Sequence, residues 1–144
     1  MGRGEVKYLL DTGVWLRAVN EPRTIPASAL RLLNTTHEMY GLAAISLWEV
    51  GKKVQSGKLP LPKDLPGWFA DALAPNIELL PLTAQVVTDA MRLPEFPNRD
   101  PADELIIATA RVHKLTLLTT DTKLKTYRHA HIHYFKPILR TKRH

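Results

Sequence analysis

The sequence predicts an α/β fold, a single domain on a mostly parallel central sheet of about four to five strands with helices on both faces. Three observations carry this expectation. Short apolar runs at 6–10, 39–44, 77–80 and 115–120 recur along the chain, separated by segments whose apolar residues fall at helical spacing. The runs are nearly continuous in apolar character rather than alternating, which fits strands buried on both faces. The length of 144 residues supports one core and is too short for two.

The first run, Val6-Lys7-Tyr8-Leu9-Leu10, ends at Asp11 and passes through Thr12-Gly13 into a helical pattern containing Val14, Trp15 and Leu16. Pro22 and Pro26 interrupt it, and 27–33 resumes as a helix with Ala29, Leu30 and Leu33 on one face. The second strand, 39–44, leads to a helix over 46–56 that buries Leu47, Val50, Gly51 and Val54. Residues 58–66 form a proline-rich connection, 67–74 a short helix, and 77–80 the third strand. Thr83 caps a helix that runs to Leu93.

After a loop at 94–98 comes the most informative stretch, Asn98-Arg99-Asp100-Pro101-Ala102-Asp103-Glu104 followed by Leu105-Ile106-Ile107-Ala108-Thr109-Ala110. Asp100 reads as the N-cap and Pro101 as the first helical residue, and acids at this end suit the helix dipole. On a helical net Asp103 shares a stripe with Ile106, Ile107 and Ala110, so it points inward; Glu104 aligns with Ala108 and Arg111 on the expected wetter side. The fourth strand, 115–120, ends at Asp121, a short helical turn follows, and 131–135 forms a small final strand at an edge. Neither internal repeats nor low-complexity tracts occur.

Composition narrows the function classes. With 44% hydrophobic and 24% charged residues the chain is of ordinary soluble globular type. It has no apolar run of membrane-spanning length and no signal-peptide layout at its start, which places it in the cytoplasm. The absence of cysteine excludes disulfides, thiolate zinc sites, cysteine nucleophiles and thiol redox chemistry. The net charge is +6, and it is concentrated: residues 111–144 carry nine Lys and Arg and a single acid, Asp121. Such a strip attracts polyanions such as RNA or DNA, although solvated charge is the simpler reading of Arg140-Thr141-Lys142-Arg143 in the basic C-terminal tail at about 136–144.

Four acids stand out. Asp11 and Asp121 end strands, Asp103 opens a helix on its inner face, and Glu49 lies in the first turn after the second strand. Each has a purely structural explanation: strand-end aspartates cap the next helix, and Ser46-Leu47-Trp48-Glu49 fits a capping box with Lys53 as a salt-bridge partner for Glu49. Together they point elsewhere. In a parallel sheet both strand-end acids fall on the rim where ligands gather. Carboxylates converging there raise one another's pKa, a cost that a divalent cation removes. An oxygen-only set without Cys suits Mg²⁺ or Mn²⁺ rather than zinc, and metal-assisted hydrolysis is the chemistry of such a site.

The segments Leu10-Asp11-Thr12, Ser46-Leu47-Trp48-Glu49-Val50, Arg99-Asp100-Pro101-Ala102-Asp103 with its apolar continuation, and Leu118-Thr119-Thr120-Asp121 together resemble the PIN domain. They are similar in particular to the VapC-type ribonuclease toxins of bacterial toxin-antitoxin pairs, in order and over nearly the whole of residues 1–144. The resemblance implies a metal-dependent endoribonuclease whose acidic quartet, Asp11, Glu49, Asp103 and Asp121, binds one or two Mg²⁺ or Mn²⁺ ions. Asp100 matches the family's helix-opening aspartate, with capping as its role, and Thr12 and Thr119 match hydroxyl positions that orient ligands or water. Asn98 is a departure, since members often carry His there. The implied partners are an RNA substrate (tRNA, rRNA or mRNA), a VapB-like antitoxin that inserts a segment into the acidic site, and a second copy in a homodimer. Under this reading metal held mainly by Asp11 and Asp103 activates water and neutralises the scissile phosphate, and in-line attack leaves a 5′-phosphate and a 3′-hydroxyl.

Two other classes compete. A catalytically inactive PIN-like module that only binds RNA or a protein is disfavoured by the intact quartet. A receiver-like signalling domain needs paired acids after the first strand, where this chain has Thr12-Gly13. His129, His131 and His133 recur at period two, which fits a transition-metal site but more simply the polar outer face of an edge strand. Lys123, Lys125 and Arg128 either contact phosphate or are solvated. Trp15, Trp48 and Trp68 are read as core or interface, and the resemblance favours interface.

Overall fold

The computed structural model describes residues 5–35 and 38–139. Five strands, β1 (Val6–Leu10), β2 (Met39–Ala43), β3 (Ile77–Leu80), β4 (Thr116–Thr119) and β5 (His131–Tyr134), form one sheet in the order β3-β2-β1-β4-β5. Every pairing is parallel, with Leu9 opposite Gly41 and Leu117, and Thr119 opposite Tyr134. The chain progresses outward from β1 in one direction through β2 and β3, then returns to the other side for β4 and β5. The sheet therefore reverses order between β1 and β4, the place where an open parallel sheet leaves a crevice at its carboxyl edge. Asp11 and the segment 119–121 flank that crevice.

Among the described residues six α-helices cover the sheet: α1 (Thr12–Asn20), α2 (Ala27–Leu33), α3 (Ile45–Gln55), α4 (Leu65–Ala72), α5 (Ala84–Ala90) and α6 (Pro101–His113). Strand alternation assigns the two faces. Leu10 and Leu118 pack with Val14, Trp15, Tyr40 and Trp68 on the α1 and α4 side, whereas Leu9 and Leu117 pack with Ile106, Ile107 and Leu124 on the α6 side. Trp15 and Trp68 meet edge to face at 5.0 Å, and their indole N–H groups donate to the Ala72 carbonyl at 3.1 Å and Asn20 Oδ1 at 2.9 Å. These two tryptophans are core, not interface, because burial of so large a ring is the strongest packing contribution available here. Trp48, by contrast, is 59% exposed. Gly41 sits where strand meets core: a Cβ there would lie 3.0 Å from Leu80 Cδ1.

Several sequence expectations are corrected. The capping box at Ser46 does not form: α3 starts at Ile45 with Ala44 as N-cap and no side-chain cap, and Ser46 is fully buried inside the helix. The helix expected to reach Leu93 ends at Ala90, since Pro94 disfavours helical geometry in the residue before it. The helix expected from Gly67 begins at Leu65, with Asp64 accepting from the Gly67 N–H at 3.1 Å and Pro66 in the first turn, a position that suits proline. The side of α6 expected to be wet is covered: Ala108 is 0% exposed against Val86 and Ala90 of α5, so α6 is buried on two faces. The last strand does lie at an edge, with His131 and His133 exposed. The tail segment Arg140-Thr141-Lys142-Arg143 lies outside the described residues. Among the described residues no helix is long and apolar enough to cross a membrane.

Candidate metal centre

The carboxyl edge of the sheet gathers five acids, each delivered by a different local rule. Asp11 ends β1 and N-caps α1: its Oδ1 accepts from the Thr12 N–H at 2.9 Å and its Oδ2 from the Thr119 hydroxyl at 2.6 Å. Thr119 ends the neighbouring β4, is fully buried, and also accepts from the Asp121 N–H at 3.0 Å. Asp121 in turn caps the 3₁₀ turn Thr122–Leu124 by accepting from the Lys123 N–H at 2.9 Å. One hydroxyl thus locks the two strand-end aspartates to each other.

Glu49 arrives from α3. Its Oε1 accepts from the Thr12 hydroxyl at 2.5 Å, and the same hydroxyl lies 2.7 Å from Ser46 Oγ. This triad explains why Ser46 is buried one helical turn before Glu49: it reaches Thr12 instead of its own helix end. Lys53, expected to neutralise Glu49, makes no ion pair with it among the described residues and acts only as a more distant charge. From α6 come Asp100 and Asp103. Asp100 Oδ1 caps the helix by accepting from the Ala102 N–H at 3.0 Å. Asn98 braces both acids, donating from Nδ2 to Asp103 Oδ2 at 3.2 Å and accepting from the Asp100 N–H at 2.8 Å.

Glu49, Asp100 and Asp103 each place one carboxylate oxygen within 4.8 Å of the others. Asp100 is thereby drawn into the cluster as well as capping its helix, a double use that capping statistics alone do not reveal. Asp11 and Asp121 stand close enough to add their charge to Asp103. Ser46 and Asn98 are the two site residues whose contacts sequence patterning missed.

The electrostatics follow from burial and crowding. Burial pushes the Asp11 carboxyl up from its ordinary value, opposed by the Thr119 and Thr12 hydrogen bonds. Glu49 is also raised, chiefly by burial and then by the charges of Asp11 and Asp100, against the Thr12 hydroxyl. Asp103 is pushed up to about 7, first by burial and then by the charges of Asp11, Asp100, Glu49 and Asp121. Among the described residues no Lys or Arg forms an ion pair with any of the five. Carboxylates crowded in this way, with no Lys or Arg ion-paired to them among the described residues and with oxygen donors only, have the donor chemistry of a divalent-cation site.

Comparison with known proteins gives the lineage of the fold. A family model described as the PIN domain matches residues 8–130. Ribonuclease VapC22 of Mycobacterium tuberculosis (strain ATCC 25618 / H37Rv) is 32% identical over 123 residues, covering 84% of this chain and 92% of that protein. Among solved structures, VapBC2 from Rickettsia felis, bound to a DNA fragment from its promoter, superposes with a TM-score of 0.67 at 19% identity, covering 90% of this chain and 98% of that one. FitAcB from Neisseria gonorrhoeae superposes with a TM-score of 0.63 at 22% identity, covering 87% and 95%. The structural likenesses carry the fold, and the family model and the VapC22 match carry the lineage: the chain belongs to the PIN-domain family, in its VapC branch.

Proposed function

We infer that the chain is a divalent-metal-dependent endoribonuclease, the toxin of a toxin-antitoxin pair, and that Asp11, Glu49, Asp103 and Asp121 form its metal-binding and catalytic set with Asp100 beside them. The observation that carries this reading is the grouping of Glu49, Asp100 and Asp103 within 4.8 Å of one another, with Asp11 and Asp121 in electrostatic range and no Lys or Arg ion-paired to the five among the described residues, in a chain of the VapC branch. Mg²⁺ or Mn²⁺ suits the oxygen donors.

Each residue has a task that its contacts support. Asp11, at the end of β1, and Asp103, in the first turn of α6, are close enough to interact electrostatically and are assigned as the main ligands. Glu49 and Asp121 complete the set from α3 and the end of β4. Thr119 fixes the Asp11 carboxylate, Thr12 fixes Glu49, and Asn98 fixes Asp103, so the oxygens are pre-positioned before an ion arrives. A divalent ion, when bound, supplies an acidified water and neutralises charge on the scissile phosphate. Because Asp11, Glu49 and Asp103 are all raised, a bound cation would compete with protons for these three carboxyls, most of all at Asp103. In-line hydrolysis by water leaves a 5′-phosphate and a 3′-hydroxyl.

The same lineage supports a VapB-like antitoxin and a second copy of the chain as partners. The exposed apolar side chains Leu79 of β3, Leu82 in the turn after it, Val87 of α5 and Met91 just past that helix suit a protein interface, and so does Trp48 one residue from Glu49. The experiment for the catalytic reading is analysis of product ends after digestion of total RNA. A 5′-phosphate and a 3′-hydroxyl are expected; a 2′,3′-cyclic phosphate would mean that the ribose hydroxyl attacks and would sink the metal-water reading.

A further inference from the structure

We propose that a basic track along the β4–β5 connection holds the phosphate backbone of the RNA outside the acidic crevice, so that long substrates bind at a second region that short ones do not reach. The proposal rests on the ribonuclease reading and extends it to a new surface.

Because β4 and β5 are parallel, residues 120–130 must carry the chain from the acidic edge of the sheet back to its opposite edge. The four-residue strands make that return roughly 13 Å long, at about 3.3 Å per residue. Two clefts run beside this connection. One, of about 170 Å³, lies between the loop before α6 and the segment after Asp121; it is lined by Pro97, Lys123, Arg128 and His129 among others. It opens next to the acids, since Asn98 braces Asp103 and the Lys123 N–H bonds Asp121. The other, of about 660 Å³, shares Arg128 and His129 and extends to Lys114 and His131 at the starts of β4 and β5. The two clefts adjoin at Arg128 and His129, and their linings run from residues neighbouring the crevice toward the starts of β4 and β5.

The two acids on this path are each paired within its wall, Glu95 with His129 Nε2 at 3.2 Å and Asp89 with Arg111, and the remaining charge is cationic. Arg111 is used internally: it grips Asp89 at 2.8 Å and 3.2 Å and donates to the His129 carbonyl at 2.6 Å, holding the wall in place. Lys114, Lys123 and Arg128 are exposed and form no ion pair among the described residues. Three cations free to meet a ligand, spaced along a groove that begins at a phosphodiester-cleaving centre, match a polyphosphate chain. Among the described residues the rings on these clefts are Tyr127, which is buried, and the imidazoles of His129 and His131, with only His131 exposed, so the contact is mainly to backbone charge and not to a run of stacked bases. The groove places four of the nine Lys and Arg of residues 111–144, Arg111, Lys114, Lys123 and Arg128, together with His129 and His131.

The test measures binding of total tRNA and of a short randomised oligoribonucleotide by the full chain in EDTA, where no turnover occurs, as a function of salt. The triple variant Lys114→Gln, Lys123→Gln, Arg128→Gln is compared with a control of equal charge loss on the opposite side, Arg23→Gln, Arg31→Gln, Lys58→Gln. Each single-strand phosphate contact contributes about 0.7 to the slope of log affinity against log salt. The track variant is therefore expected to lose about two units of slope on tRNA and to bind it at least tenfold more weakly, with the short oligonucleotide unaffected and the control close to wild type. Equal slopes for track variant and wild type, or equal losses in variant and control, would overturn the track while leaving the ribonuclease reading intact. A wild-type chain that neither binds nor cleaves RNA would overturn both.

Discussion

Raising the pH of the metal-free protein from about 4 to 8 is expected to destabilise it, and Asp103→Asn is expected to remove much of that loss. The sign follows from linkage. In the unfolded chain Asp103 releases its proton near 3.8, whereas in the fold it holds the proton to about 7. Between those values the folded state binds more protons, so stability falls as pH rises and then levels off above pH 7. A shift of that size has a ceiling of roughly 4 kcal/mol at 1.36 kcal/mol per unit. The carboxyl is only half-buried, and screening by water leaves about half, near 2 kcal/mol. For a chain of this length that is a change of roughly 4–8 °C in Tm. Thermal unfolding in EDTA across this pH range is the assay. Wild type should lose stability toward pH 8, the variant should lose less, and Mg²⁺ or Mn²⁺ should restore the wild type. A residual slope from Asp11 and Glu49 is expected, because both are raised as well. If the two proteins instead differ by a constant amount at every pH, Asp103 does not carry the crowding described above.

Other expectations can be checked with the same material. Thr12→Val removes the hydroxyl shared by Glu49 and Ser46; urea unfolding should show a loss of about 1–3 kcal/mol, and divalent-ion affinity by calorimetry should fall about 10–100-fold. Asp100→Ser keeps a cap for the Ala102 N–H but removes the carboxylate, so stability should stay within about 0.5 kcal/mol while ion affinity drops, whereas Asp100→Ala should also lose about 1 kcal/mol. Gly41→Ala forces a methyl to within 3.0 Å of Leu80 and should cost about 1–3 kcal/mol in urea with little direct effect on the acids.

What sequence reasoning recovers here depends on how local the cause is. The strands are legible because parallel strands buried on both faces must be apolar throughout, and β1 and β3 match their expected bounds. Asp100 is legible as a cap because the Asp-Pro pair fixes a helix start by itself. Ser46 misleads for the opposite reason: its capping-box spacing is local, but its hydroxyl is claimed by Thr12, thirty-four positions away. The wetter side of α6 is misjudged because a helical net does not know that α5 folds against Ala108. At the site, strand ends bring Asp11 and Asp121 to one edge by topology alone. The bonds that aim the oxygens, from Thr119 to Asp11 and from Thr12 to Glu49, join distant parts of the chain and become visible only in three dimensions.

The central claim, that these carboxylates form one metal-dependent RNA-cleaving site, is tested most directly by incubating a mixed tRNA and rRNA pool with the purified chain and with Asp103→Asn, in Mg²⁺ or Mn²⁺ and in EDTA. Discrete cuts by the wild type that require the metal and disappear in the folded variant are the predicted result. Undiminished cutting by Asp103→Asn at saturating metal, or equal cutting in EDTA, would contradict the account.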